Sequence, residues 1–199
     1  MKKNLERCKK AFHVLPTTFV LPKEYVKFVE AFSEAESTDG ALNYWILKPC
    51  AMSRGRGIQL INDITSVSYG EQVVLQRYMK NPLLLNGFKF DLRIYILVTS
   101  FNPLEAFVYK EGFARISTQP FSLSPHDMTN KFVHLTNYSI QKKSKAQFTD
   151  VGCDLSDQIY GGSKISLSSL AKVFQGMKID YDDIWDKIED VCLKTLVGC

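Results

Sequence analysis

No run of apolar residues in this 199-residue sequence is long enough to span a bilayer, which takes about 20 consecutive apolar positions in a helix. No membrane partner is therefore expected. The opening residues, Met1-Lys2-Lys3-Asn4 followed by Glu6 and Arg7, lack the apolar stretch of a secretory leader, and none is expected. Histidine is scarce: His13, His126 and His134 are the three in the chain, too dispersed to suggest a metal pair. The five cysteines, Cys8, Cys50, Cys153, Cys192 and Cys199, include no C-x-x-C spacing and are odd in number. That argues against a zinc site or a disulfide framework and fits a reducing compartment. Internal repeats and low-complexity tracts are missing too. The net charge of +4 is confined to residues 1–10, where Lys2, Lys3, Arg7, Lys9 and Lys10 face a single acid, Glu6. The rest of the chain is balanced. The basic segment reads first as a solvated helix end or tail, second as a contact for an acidic partner, and no nucleic-acid partner is expected.

What is present is an ordinary globular composition, 45% apolar and 23% charged, in a length that suits one large domain or two small lobes. Pro22 suits the first position of a helix, and Tyr25, Phe28, Val29 and Phe32 come after it at helical spacing, ending near Ser37–Gly40. Residues 43–48 read as a buried strand closed by Pro49, residues 58–61 as a second and residues 73–78 as a third. The longest strand signal runs from Lys89 to Ser100. Hairpin-like segments come next at 106–109 and 113–118, split by Glu111-Gly112, then a polar surface loop over 141–165. Two helices are expected to close the chain, over 166–174 and around the stripe Ile184, Ile188, Val191 and Cys192, with Asp182 and Asp183 in the first turn of the latter.

Several segments carry chemistry. Lys48 ends an apolar strand and precedes Ser53-Arg54-Gly55-Arg56-Gly57. Glycines let backbone N–H groups approach an anion, and the arginines add charge. A cover over nucleotide phosphates and a plain hairpin turn with solvated arginines fit this segment equally. In residues 89–95 the side chains alternate, so Lys89, Asp91 and Arg93 share one face opposite Phe90, Leu92, Ile94, Ile96 and Val98. A charged row in a domain's middle is costly unless it is paired or meets a charged ligand. A salt-bridge ladder is the bland reading; a phosphate and ribose platform is favoured, since Asp accepts hydroxyls while Lys and Arg hold phosphate oxygens. Gln76, at the polar exit of its strand, could meet an adenine edge. His134-Leu-Thr-Asn137 reads as a capped turn rather than a metal ligand, and Arg115 is a third cation the fold could turn inward. A protein kinase is excluded by order: Lys48 precedes the glycines, and H-R-D, D-F-G and A-P-E are missing.

Taken together, Tyr44-Trp-Ile-Leu-Lys-Pro49, Ser53-Arg-Gly-Arg-Gly-Ile58, Asn81-Pro-Leu-Leu84, Gly87-Phe-Lys-Phe-Asp-Leu-Arg93, Glu111-Gly-Phe-Ala-Arg115 and His134-Leu-Thr-Asn-Tyr-Ser139 resemble the tubulin tyrosine ligase-like family. The resemblance covers the chain from about Phe19 onward. It implies an α+β ATP-grasp fold, two lobes holding ATP between their sheets, here expected as residues 1–80 and 81–199. It implies an ATP-dependent ligase that joins an amino acid, glutamate by the Tyr138-Ser139 variant, to glutamate side chains of acidic tubulin or microtubule tails through an acylphosphate. By motif, Lys48 would hold ATP phosphates under the loop Ser53, Arg54, Gly55, Arg56, Gly57 and Ile58. Gln76, Arg77 and Met79 would line the adenine hinge, and Lys89 and Asp91 the ribose side. Arg93 and Arg115 would be the catalytic pair facing the γ-phosphate and acceptor, and Thr136 and Asn137 would finish the pocket. The family's magnesium ligands are expected beyond residue 199, so a truncated, non-catalytic module binding nucleotide or microtubules is the alternative. The resemblance also implies a cytoplasmic, cytoskeletal place of action, with cilium or basal body as an address.

Overall fold

The computed structural model describes residues 12–39, 43–144 and 164–198; the basic segment and the glycines Gly161-Gly162 lie outside them. Two antiparallel sheets organise the chain. The first contains β1 (Thr18–Val20), β2 (Trp45–Pro49), β3 (Gln59–Ile61) and β4 (Val73–Arg77), in the order β1-β4-β2-β3. Helix α1 (Tyr25–Asp39) covers one face. Period-2 alternation decides what each face carries: Trp45, Leu47, Val73 and Leu75 turn toward Phe28 and Phe32 of α1 and form a buried core, with the Trp45 ring edge-on to Phe28 at 5.3 Å. The helix begins at Tyr25 rather than at Pro22. Residues 21–24 form a turn instead, in which Val20 N donates to Glu24 Oε2 at 2.8 Å.

The other face carries Ile46, Lys48 and Gln76, with Ile46 directly opposite Gln76 and Lys48 opposite Val74. Tyr44, Ile46, Leu60 and Tyr78 pack there against Leu135 from further along the chain. That apolar seam ties the first sheet to the second half of the chain.

The second sheet runs β5-β6-β7-β8, from β5 (Leu84–Leu85), β6 (Phe88–Phe101), β7 (Leu104–Pro120) and β8 (Lys164–Ser166). Phe90, Leu92 and Ile94 of β6 pack on a core of Leu85, Ala114, Ile116, Ile165, Leu167, Leu170 and Phe174. Between β7 and β8 in chain order come two single-turn helices, α2 (Lys131–His134) and α3 (Tyr138–Gln141). Helix α4 (Leu167–Gly176) supplies much of the second core, and Ile184 and Trp185 of α5 (Tyr181–Gly198) pack against its edge. Ser166 caps α4 by accepting from Ser169 N at 3.1 Å.

Two further expectations change. Residues 104–120 form one 17-residue strand rather than two hairpin segments. Gly112 does not break it: an added Cβ would stand 2.3 Å from the Arg93 carbonyl oxygen, so glycine lets β7 approach β6 where the register shifts after Arg93. The expected surface loop over 141–165 ends in strand at Lys164–Ser166, paired with Phe113–Arg115, and starts inside α3 at Gln141.

Candidate active site

The site lies where the polar face of the first sheet meets the charged face of the second. Lys48, half-buried at the end of β2, donates from Nζ to Gln76 Oε1 on β4 at 2.7 Å. Gln76 Nε2 donates in turn to Thr18 Oγ1 on β1 at 2.9 Å. Three strands thus hold one ammonium in place, and its burial pushes its pKa below the usual lysine value.

Lys89, second residue of β6, enters from the other sheet. Its Nζ donates to Tyr78 Oη at 3.0 Å and to the His134 carbonyl at 2.9 Å. Burial lowers its pKa to about 8; Asp91 opposes that shift and Lys48 adds to it. Desolvation is what depresses both half-buried lysines, and the charge of Lys48 lowers Lys89 further; a bound anion would offset that cost.

Asp91 and Arg115 face each other in register across β6 and β7. Arg115 Nε donates to Asp91 Oδ1 at 2.8 Å, and Nη2 donates to Oδ2 to complete a fork. That pairing raises the Arg115 pKa against the effect of its burial. Arg93, opposite Phe113, is exposed on the same face. Lys164 of β8 sits opposite Arg115 and stands 4.6 Å from the Tyr138 ring centre; no sequence signal pointed to it.

The glycine loop is shaped by backbone conformation. Arg54, Gly55 and Gly57 have φ of 60°, 76° and 69°, left-handed values that glycine adopts freely and other residues rarely do, and Arg56 N donates to the Ser53 carbonyl at 3.2 Å to close the turn. The loop rests on α3. Ser139 Oγ donates to the Arg54 carbonyl at 2.8 Å, and a Cβ on Gly55 would meet Ile140 Cδ1 at 2.5 Å and Asn137 Oδ1 at 2.9 Å. Asn137 therefore abuts the loop, while Thr136 beside it is buried. Gln141 anchors this segment: its Oε1 accepts from Thr118 N and Oγ1 at 2.8 and 2.6 Å, and its Nε2 donates to the Phe132 and Leu135 carbonyls.

A cavity of about 920 Å³ is lined by Arg54 and Arg56 of this loop and by Lys131, Lys142 and Lys143 of α2 and α3 and their flanks. Neither Lys48 nor Lys89 lines it. Volume and chemistry do not coincide here, and the half-buried, hydrogen-bonded charges make a stronger candidate site than the open basic cleft. Among the described residues no three His, Cys, Asp or Glu side chains are grouped to hold a metal ion.

A family profile described as the tubulin-tyrosine ligase family matches residues 1–199. The chain belongs to the tubulin-tyrosine ligase family. Tubulin polyglutamylase TTLL5 of Homo sapiens is 40% identical to it over 189 residues, 95% of this chain and 14% of that protein. Probable tubulin polyglutamylase TTLL2 of Homo sapiens is 37% identical over 188 residues, 94% of this chain and 31% of that protein. Tubulin polyglutamylase TTLL6 of Mus musculus is 36% identical over 199 residues, 100% of this chain and 23% of that protein. The chain spans under a third of the length of these relatives.

In this tubulin-tyrosine ligase family chain the sequence-expected residues divide by location. Lys48, Gln76, Lys89, Asp91 and Arg115 converge from both sheets. Ser53, Arg54, Gly55, Arg56, Gly57 and Ile58 form the loop seated on Asn137. Arg77 goes elsewhere: alternation puts its side chain on the α1 face, with the guanidinium 5.4 Å from the Trp45 ring centre, so only its backbone borders the seam. Met79 is exposed. Tyr78, between them, escapes a reading of the sequence, because nothing in its local pattern announces a partner 56 positions away at His134.

Proposed function

We propose that this chain is the nucleotide-binding body of an ATP-dependent ligase that adds glutamate to glutamate side chains of acidic tubulin tails. The two sheets would be the ATP-grasp lobes, residues 1–80 and 81–199, with ATP between them. The observation that carries the reading is the convergence of Lys48 and Lys89 from opposite sheets, each with a depressed pKa, beside the Asp91–Arg115 fork. The names of the relatives, polyglutamylases acting on tubulin, support the acceptor and the added amino acid.

In this reading Lys48 and Lys89 hold phosphate oxygens and adjacent nucleotide atoms, and the loop of residues 53–58 covers the phosphates. Gln76 keeps Lys48 oriented, and the Tyr78–Met79 backbone borders the base. Asp91 fixes the plane of Arg115, and Arg93 and Arg115 face the γ-phosphate and the acceptor carboxylate. The reaction passes a phosphoryl group to a carboxylate and then forms an amide from the acylphosphate. Both steps gather negative charge, so fixed cations lower the barrier. The described residues supply no magnesium ligand set; what this chain contributes is its positioned cations. Action would be on microtubules in the cytoplasm, at the cytoskeleton or in a cilium or basal body.

The test is incorporation of labelled glutamate into tubulin by the full-length protein with ATP and magnesium, beside its Lys48→Ala variant. Incorporation abolished by Lys48→Ala is the expected result. ATP binding without incorporation would leave a nucleotide-binding module, and no ATP binding would end the reading.

A further inference from the structure

Tyr78 belongs to the first sheet's exit, Lys89 to the second sheet, and His134 to α2, yet their polar atoms form one chain. Lys89 Nζ lies 3.0 Å from Tyr78 Oη, which lies 3.0 Å from His134 Nδ1, while His134 Nε2 lies 2.9 Å from the Asp127 carbonyl. The proton positions are fixed by elimination. A carbonyl only accepts, so His134 Nε2 carries the hydrogen; burial lowers the His134 pKa and favours the neutral ring, in which Nδ1 is then the acceptor. An ammonium only donates, so Tyr78 Oη accepts from Lys89 and gives its own hydrogen to His134 Nδ1. The rings of Tyr78 and His134 stand edge to face at 88°, which fixes the phenol's direction. His134 is 2% exposed and Tyr78 5%, so no water competes readily for these bonds.

We propose that Tyr78 and His134 are positioning residues for Lys89. His134, neutral, orients the Tyr78 hydroxyl through Nδ1. That hydroxyl and the His134 carbonyl take two of the three Lys89 donors, leaving the third aimed at an acceptor atom of bound nucleotide. This rests on the reading of Lys89 as a nucleotide contact. The charged and titratable groups that face Lys89 are Lys48 from β2, Asp91 from its own strand, Tyr78 after β4 and His134 from α2. Burial keeps His134 below the ordinary histidine pKa, Lys89 pushing the same way, and burial pushes the Tyr78 phenol up. Both therefore keep the protonation states the chain needs while Lys89 titrates. The arrangement also locks the two sheets together at the point where the ammonium is presented.

The experiment is ATP binding to the full-length chain by calorimetry between about pH 6.5 and about pH 9.5, for wild type, Lys89→Met, Tyr78→Phe, His134→Asn and His134→Leu. Tyr78→Phe removes an acceptor from the ammonium. It should weaken ATP about tenfold, the size of one charge-assisted hydrogen bond, and move the high-pH loss of affinity to lower pH. His134→Leu should act in the same direction. His134→Asn should fall between it and wild type, because Asn Oδ1 can accept where Nδ1 did, and Tyr78→Phe/His134→Leu should be no worse than Tyr78→Phe. A uniform loss at every pH, or wild-type binding in Tyr78→Phe and His134→Leu while Lys89→Met binds poorly, overturns the positioning role and keeps Lys89 in the site. Unchanged binding in Lys89→Met overturns the underlying reading instead. If His134→Leu does not fold, the pH profile of Tyr78→Phe decides alone.

Discussion

Lys48 Nζ and Gln76 Oε1 meet at 2.7 Å although they are 28 positions apart, because β2 and β4 are neighbours and their polar side chains leave the sheet on the same face. Gln76 is itself held by Thr18. The lysine therefore presents its charge in a fixed place before any ligand arrives, which lowers the ordering cost of binding.

Lys48→Ala should weaken ATP binding by about 10- to 150-fold, the loss of a hydrogen bond to a charged group at roughly 1.5–3 kcal/mol. Gln76→Ala should cost less, since it loosens the ammonium without removing it. Calorimetric titration with ATP checks both. Wild-type affinity in a folded Lys48→Ala protein removes Lys48 from the site.

Lys89 sets a pH dependence whose sign can be worked out. Its pKa is 10.5 ordinarily and about 8 in the fold, so the folded state resists protonation. The penalty is present in full below pH 8 and fades as pH rises from 8 toward 10.5. Thermal unfolding should therefore show wild type gaining stability relative to Lys89→Met across that window. ATP prefers the ammonium, so its affinity should fall as pH rises above 8, with proton uptake on binding. Titrations in buffers of different ionisation enthalpy measure that uptake; none at pH 9 would contradict the assignment.

Arg115→Lys should cut glutamate incorporation at least tenfold while leaving the unfolding midpoint within a few degrees of wild type. A lysine keeps the charge but cannot form the two-pronged contact with Asp91. Because the pair is partly exposed, its contribution to stability is small, about 1 kcal/mol or less. Undiminished incorporation in the variant would show that the fork has no part in the reaction.

Gly112→Ala and Gly55→Ala should fail differently. At Gly112 the new Cβ meets the fixed Arg93 carbonyl, so the sheet must shift, at a cost of about 3 kcal/mol in chemical unfolding. At Gly55 it meets side chains of Ile140 and Asn137 on a surface loop with φ of +76°, so global stability should drop by only about 1 kcal/mol while ATP affinity falls. Equal effects of the two substitutions on both readouts would refute this division.

Local pattern made much of this chain legible in its sequence. Alternation along residues 89–94 determined which side chains face the core and which share the charged face, because a strand side chain has only two directions to choose from. The helical spacing of Tyr25, Phe28 and Phe32, and the acidic first turn at Asp182 and Asp183, likewise act within a few residues. The six motif segments were enough to place the chain in its family. Tertiary structure decided the partnerships. Glu111 shares a motif with Arg115, yet its carboxylate accepts from Gly112 N at 3.0 Å and from Leu167 N at 2.8 Å, joining β7 to the start of α4. Those amide bonds outweigh burial and hold its pKa below the usual glutamate value. Arg77 is a neighbour of Gln76 in sequence, but alternation sends it under Trp45. His134 had no visible role until the fold carried Tyr78 and Lys89 to it from two sheets. Sequence sets the directions a backbone offers its side chains; which groups then meet depends on how sheets pack, and the charges that matter here are close only because the chain returns to the same place from 28, 45 and 56 residues away.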